Sequence, residues 1–162
     1  MMDAVLIREV KTHEASVLSN LAMRSKAYWG YSAKFMAACE NELLVTEKKL
    51  ESDTLQYMVA ERKGKVIGYY ALEKMSESRF ELDALFVEPD CIGSGIGKAL
   101  LTHAKTAAAN LGGVTLTIQG DPNAQKFYVA AGGVLTGERE SGSIPGRFLP
   151  TFIIPLVGDD IA

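Results

Sequence analysis

Glu88-Pro89-Asp90-Cys91-Ile92-Gly93-Ser94-Gly95-Ile96-Gly97-Lys98-Ala99-Leu100-Leu101 is the stretch on which the reading of this chain turns. A β-rich run, Phe80 to Glu88, enters three alternating glycines and leaves as an amphipathic pattern from Gly95 to Leu111. On that helix Ile96, Ala99, Leu100, Ala104, Ala107, Ala108 and Leu111 share the apolar face, with His103 beside them. A strand, a glycine turn and a helix start place unpaired N–H groups around one point, a cradle suited to a diphosphate. Two familiar phosphate loops fail here. A Walker A loop would need Gly at Ile92 and Ser or Thr at Ala99, and a dinucleotide GxGxxG meets Lys98 or Leu100 at its third glycine.

Outward from the loop, the period is that of strands over Leu55–Glu61, Val66–Met75 and Phe80–Glu88, with Lys63-Gly64 turning the first pair antiparallel. Ala4 to Val10 reads as an opening strand, followed by a helix capped by Thr12 and running to about Lys26. Ser32 caps a second helix through Phe35, Met36 and Cys39, and Thr46 to Leu50 suggests a further turn. Beyond the central helix lie a strand Val114–Ile118, a short helix Ala124–Ala131, and strands Val134–Glu140 and Thr151–Val157. The order predicts an α/β (α+β) fold: a mixed, mostly antiparallel sheet of six or seven strands flanked by about four helices. No repeat or Pro/Ser-rich linker interrupts the 162 residues, so one domain spanning 1–162 is expected.

Composition removes other classes. Seventeen Lys plus Arg against 20 Asp plus Glu give a net charge of −3, which leaves no broad basic surface for nucleic acid. The longest apolar runs fall far short of the about 20 residues of a membrane span, and Met1-Met2-Asp3-Ala4-Val5 carries no signal-peptide pattern. Two cysteines, Cys39 and Cys91, and two histidines, His13 and His103, show no metal-ligand spacing, so no metal is expected and a reducing cytoplasm fits.

Two linked motifs resemble the GNAT superfamily of N-acetyltransferases. Its acyl-CoA loop reads Arg or Gln, two residues, Gly, one residue, Gly or Ala, after a strand ending Val-x-Pro; Val87-Glu88-Pro89, Gly95 and Gly97 match, and Ile92 departs. Asp121-Pro122-Asn123-Ala124-Gln125-Lys126-Phe127-Tyr128-Val129-Ala130-Ala131-Gly132-Gly133 resembles its second signature, Asn, Ala, Phe-Tyr, then Gly. The resemblance runs from about Leu55 to Val157 and implies a sheet splayed at an acyl-CoA cleft.

It further implies acetyl-CoA as acyl donor, held by Phe86, Val87, Ile92, Gly93, Ser94, Gly95, Ile96, Gly97, Lys98, Asn123 and Phe127. Asn123 would cap the following helix, and the Val87 N–H would contact the thioester. Transfer to an amine needs a base for the ammonium, a stabilised oxyanion and a proton for the leaving thiolate. Glu81 stands where the histone-type branch keeps its base, with Asp83 second on the face opposite Phe80, Leu82 and Ala84; Tyr128 matches the general acid. For the acceptor, Trp29 and Tyr31 are candidate wall residues, Asp83 a candidate charge partner and Arg147 a candidate carboxylate ligand. The implied activity is acetyl transfer to a primary amine of a small molecule, amino-acid derivative or peptide, with a homodimer as one candidate assembly. The alternative is an acyl-CoA-binding sensor or partner-binding module, for which Ile92 is the supporting feature.

Overall fold

The computed structural model describes residues 4–156; Met1 to Asp3 and Val157, the expected last strand residue, lie outside them. The chain runs β1 (Leu6–Glu9), α1 (Ala15–Ala27), α2 (Ala33–Leu43), α3 (Glu47–Leu50), β2 (Leu55–Arg62), β3 (Lys65–Lys74) and β4 (Arg79–Val87). It continues α4 (Ile96–Asn110), β5 (Thr115–Gln119), α5 (Gln125–Ala130), β6 (Val134–Glu140) and β7 (Phe148–Pro155). One seven-stranded sheet has the order β1-β2-β3-β4-β5-β7-β6. Its pairs are antiparallel except β4 with β5, which the crossover through α4 makes parallel. The fifth helix is α3, a single turn in which the Lys49 N–H donates to the Thr46 hydroxyl. Among the described residues no helix is long and apolar enough to cross a membrane.

Two apolar layers sandwich the sheet. α1 and α2 supply Leu18, Leu21, Met36 and Cys39 against Tyr57, Val59, Tyr69 and Ala71. On the other face α4 supplies Ile96, Leu100, Leu101, Ala104 and Ala108 against Tyr70, Leu72, Phe80 and Leu82. The buried stripe of α4 is rotated from the expected one: Ala99 and Leu111 face solvent and Leu101 is buried. Gly68 on β3 permits the close approach, since a Cβ there would stand 3.0 Å from Leu100 Cδ1 and 3.1 Å from the Phe86 carbonyl. Truncating a wholly buried leucine such as Leu100 would cost about 2–5 kcal/mol.

The caps follow local chemistry with one correction. Ser32 accepts the Phe35 N–H at 3.1 Å, as its position suggests. Thr12 caps nothing; it lies inside a 3-10 turn, Thr12–Glu14, that follows an extended Lys11. Glu14 takes over the task, accepting the Lys11 N–H at 2.8 Å while its two oxygens hold the Arg8 guanidinium at 3.0 and 2.9 Å.

The site is created where the sheet comes apart. β4 and β5 pair only from Arg79–Leu82 to Thr115–Ile118, so Asp83 to Val87 keep β3 on one side and an unpaired edge on the other. Within this stretch Ala84 pairs with Ala71 and Leu82 with Leu72, which leaves Asp83 as an extra residue, a β-bulge. The bulge reverses the alternation that the sequence suggests. Ala84 and Phe86 join the α1/α2 layer instead of following Phe80 and Leu82, while Leu85 and Val87 turn to α4.

Candidate active site

Past β4, a 3-10 turn at Pro89–Cys91 leads to Gly93 (φ +85°) and Gly95 (φ +92°), the residue that precedes α4. Both sit in the left-handed region that side chains with a Cβ resist. Ser94 is folded back: its N–H and its hydroxyl both donate to the Cys91 carbonyl. The first-turn amides of α4, at Ile96, Gly97 and Lys98, have no intrahelical acceptor and lie at the positive end of the helix dipole. A Cβ on Gly97 would stand 3.5 Å from the Phe127 ring and 3.7 Å from Val87 Cγ2, ordinary contact distances, so packing within the chain does not demand glycine here. These residues fit the diphosphate of a CoA ester. Ile92, at the position where a long polar side chain is expected, lines the cleft with an apolar one.

Helix α1 anchors this cradle. Arg24 donates from Nε to Glu88 Oε1 at 2.7 Å and from its terminal nitrogen to Oε2 at 2.8 Å. The pair holds the Glu88 carboxyl below its ordinary range, and Glu88 itself is buried. The next residue, Ser25, accepts the Val87 N–H at 3.4 Å, a long bond that a better acceptor can replace.

A cleft of about 720 Å³ opens between the parted strands. Every residue singled out from the sequence lines it except Ser94, Ile96 and Tyr31. Ile96 is buried under the sheet and offers only its backbone. Tyr128 is 7% exposed, its ring packed at 5.2 Å from Phe127 and 5.6 Å from Phe152. Gly120 makes room for it, since a Cβ there would meet the ring at 2.9 Å. Burial pushes the Tyr128 hydroxyl above its usual pKa, so it stays a proton donor at neutral pH.

The floor of the cleft is acidic. Glu81 lies opposite Glu73 in the β3–β4 register, accepts from Thr117 Oγ1 at 3.5 Å, and sits 3.6 Å from the Arg139 guanidinium of β6. Asp83, on the bulge, opens to the cleft; the surrounding protein and then the nearby Glu73 and Glu81 push its pKa up to about 8. Three aromatic rings adjoin: Tyr57 to Tyr69 at 6.2 Å and Tyr69 to Phe86 at 5.8 Å. Tyr57 (8% exposed) and Tyr69 (1%) are buried, and no partner for either hydroxyl is present among the described residues. Both line the cleft. Tyr57 is pushed up to about 12, by burial and then by Asp83.

Another part of the cleft lining is a knot around Asp121. Its Oδ2 accepts the Tyr31 hydroxyl at 2.8 Å and the Lys26 ammonium at 3.4 Å, and Arg147 stands 3.7 Å away. Arg147 also donates to the Tyr31 oxygen at 2.8 Å and lies over the Tyr31 and Phe35 rings, which stack at 4.2 Å. Burial opposes ionisation of Asp121, but the Asn123 N–H, the Tyr31 hydroxyl and the Lys26 charge outweigh it, and its carboxyl falls below the usual range. The capping role expected of Asn123 belongs to Asp121, which accepts the Asn123 N–H at 2.8 Å across Pro122. The Asn123 amide donates to Tyr31 and Asp121 at 3.0 and 2.8 Å.

Tyr57, Tyr69, Arg139 and Asp121 were not singled out from the sequence. The tyrosines occupy ordinary strand positions, and the pairing that turns them and Phe86 to one face becomes visible once the register is known.

A family model described as an acetyltransferase (GNAT) domain matches residues 13–142. Phosphinothricin N-acetyltransferase of Alcaligenes faecalis is 49% identical over 51 residues, 29% of this chain and 26% of that enzyme. Peptidyl-lysine N-acetyltransferase YjaB of Salmonella typhimurium is 42% identical over 59 residues, 36% of this chain and 39% of that protein. The chain thus spans well under half the length of these two relatives. Among solved structures, a GCN5-related N-acetyltransferase from Rhodopseudomonas palustris superposes with a TM-score of 0.79 at 21% identity, covering 96% of this chain and 99% of that one. The PaiA N-acetyltransferase of Thermoplasma acidophilum, solved with coenzyme A, gives 0.75 at 18%, covering 94% and 99%. At those identities the structural likeness is one of fold. With the family model covering most of the chain over the same elements that build the cleft, the protein belongs to the GNAT acetyltransferase family.

Proposed function

We propose that this chain moves an acetyl group from acetyl-CoA to a primary amine of a small molecule, amino-acid derivative or peptide, by direct transfer between two substrates held in one cleft. One observation carries the reading: the amide cradle of α4, the unpaired edge of β4 and the Glu81 and Asp83 carboxylates of that strand all open into the same space. Acetyl-CoA supplies the activated thioester. The first turn of α4 would hold its diphosphate, and the free edge at Phe86 and Val87 its extended arm.

Asp83 is the better proton acceptor of the two carboxylates. Glu81 is paired with Arg139 and Thr117, whereas Asp83 faces the cleft with a proton affinity near working pH. An alkylammonium near pKa 10 can pass its proton to such a group before attack. Tyr128 holds a proton within the same cleft and would give it to the departing sulfur. Buried, unpaired Cys39 and Cys91 suit a reducing cytoplasm.

The test has two parts. Acetyl-CoA should raise the melting temperature while ATP and NAD leave it unchanged; equal silence from all three would sink the donor assignment. A panel of primary amines should then release free thiol, and a panel with no active member would remove the transferase reading.

A further inference from the structure

We infer that the acceptor is a flexible alkylamine bearing no carboxylate near its amine, a lysine side chain in a peptide or a free diamine, because Asp121 already occupies the cationic wall of the cleft while the cleft lining at Glu81, Asp83, Tyr57 and Tyr69 is acidic and aromatic. This rests on the N-acetyltransferase reading and narrows its acceptor.

An amino-acid acceptor needs a cation for its carboxylate. Lys26 and Arg147 are the wall cations, and both are turned onto Asp121, at 3.4 and 3.7 Å. Arg147 is further committed to the Tyr31 oxygen at 2.8 Å and pressed over Phe35. Lys26 lies over the same two rings, at 5.5 and 5.9 Å. Glu42 lines the cavity beside them and adds a second negative charge. Lys49, another lining residue, donates to the Leu44 carbonyl at 2.7 Å. Lys98 belongs to the first turn of α4, at the cradle. An incoming carboxylate would have to displace Asp121 or remain unpaired, and an unpaired buried charge is costly.

The floor points the other way. Glu73, Glu81 and Asp83 crowd together with Arg139 as the neighbouring cation. Beside them the two buried tyrosines, 57 and 69, present hydroxyls that nothing else in the described chain satisfies. Such unspent acceptors next to the Tyr57, Tyr69 and Phe86 rings suit an ammonium group on an apolar stem, by hydrogen bonding and by cation–π contact. The reaction balances as R–NH3⁺ plus acetyl-S-CoA giving R–NH–acetyl, CoA thiol and one released proton. The N–C bond forms and the C–S bond breaks. Two negative charges brought together, as with an anionic acceptor, would raise the cost of the bound state.

The experiment compares butylamine, diaminobutane and γ-aminobutyrate, which share one stem, with glycine, glutamate and a lysine-containing tetrapeptide, by thiol release. The expected result is a kcat/KM for butylamine and diaminobutane at least about tenfold above that for γ-aminobutyrate. The tetrapeptide against diaminobutane tells a peptide acceptor from a free one. If γ-aminobutyrate or either amino acid equals the plain amines, the inference falls and the transferase stands. If no amine is turned over although calorimetry shows acetyl-CoA bound, both fall. Asp121→Asn keeps the cap on Asn123 but releases Lys26 and Arg147, so the preference against γ-aminobutyrate should shrink to less than about threefold. An unchanged preference in a variant that melts like the parent would overturn the role given to Asp121.

Discussion

Arg139 of β6 stands 3.6 Å from Glu81 of β4, although β7 and β5 lie between their strands, whereas Asp83, two residues further along β4, stands on a bulge with carboxylates as its near neighbours. Two acids on one strand thus have different surroundings. Glu81 lies against a cation and a hydroxyl, whereas burial and then the neighbouring carboxylates push the Asp83 pKa up to about 8.

The first prediction separates them. Asp83→Asn should lower turnover of an amine by about 10²-fold and remove the fall in rate below about pH 8, whereas Glu81→Gln should cost less than about tenfold and keep that limb. Stability should move oppositely. A carboxyl whose folded pKa is raised stabilises the fold below the unfolded value near 4, and that contribution is lost as pH rises through the folded value. Asp83→Asn should therefore melt higher than the parent above about pH 8, as followed by circular dichroism. A parent and variant with identical pH profiles would refute the assignment.

The second prediction concerns the anchor of the cradle. Arg24→Met leaves the buried Glu88 carboxylate without its two guanidinium bonds. Because Arg24 is half in solvent, the loss should be about 1–2 kcal/mol, below that of a fully buried pair. The parent's Glu88 pKa is depressed, so its contribution is present above the unfolded value near 4.3 and fades as pH falls through the lower folded one. Thermal melts over pH 3 to 6, roughly, should accordingly be flatter in the variant.

The backbone of the cradle was legible because glycine carries backbone information directly: Gly93 and Gly95 stand at the positive φ angles that their spacing before a helix implies. Helix and strand order was legible from period. The bulge at Asp83 was not, since strict alternation has no place for an extra residue, and Ala84 therefore fell on the wrong face. The cap at Asn123 was misassigned by two positions because Asp121 and Asn123 are both good cap residues, and Pro122 between them favours the earlier one. The partners of Glu81 and Arg147 are tertiary. Arg139 and Asp121 meet them through the β6–β7 hairpin and the turn after β5, contacts with no local signature.

A third prediction uses the space at Gly97. Alanine there would find ordinary contact distances of 3.5 Å or more to Phe127 and Val87, and it raises helix propensity. Gly97→Ala should leave the melting temperature of the unliganded protein equal or higher, by up to about 1 kcal/mol of stability. If the donor's diphosphate docks on the first turn of α4 as proposed, calorimetric affinity for acetyl-CoA should nevertheless fall by at least about tenfold, because the methyl group would stand at the cleft wall beside Phe127 and Val87. Undiminished affinity would mean that the donor binds elsewhere.

The last prediction concerns Tyr128. Its hydroxyl has no partner among the described residues, so Tyr128→Phe deletes no hydrogen bond within the fold and should change stability by no more than about 0.5 kcal/mol. The ring contacts with Phe127 and Phe152 remain. If the hydroxyl protonates the departing sulfur, single-turnover acetyl transfer should slow by about 10²-fold while the affinity for acetyl-CoA stays within about twofold. Single turnover matters because product release can mask a slower chemical step in steady state. Restoring the rate with an acceptor-independent change, a more acidic thiol in the acyl donor, would identify the step: a better leaving group needs no proton from Tyr128. A variant as slow with that donor as with acetyl-CoA would place the tyrosine in binding geometry and not in proton transfer.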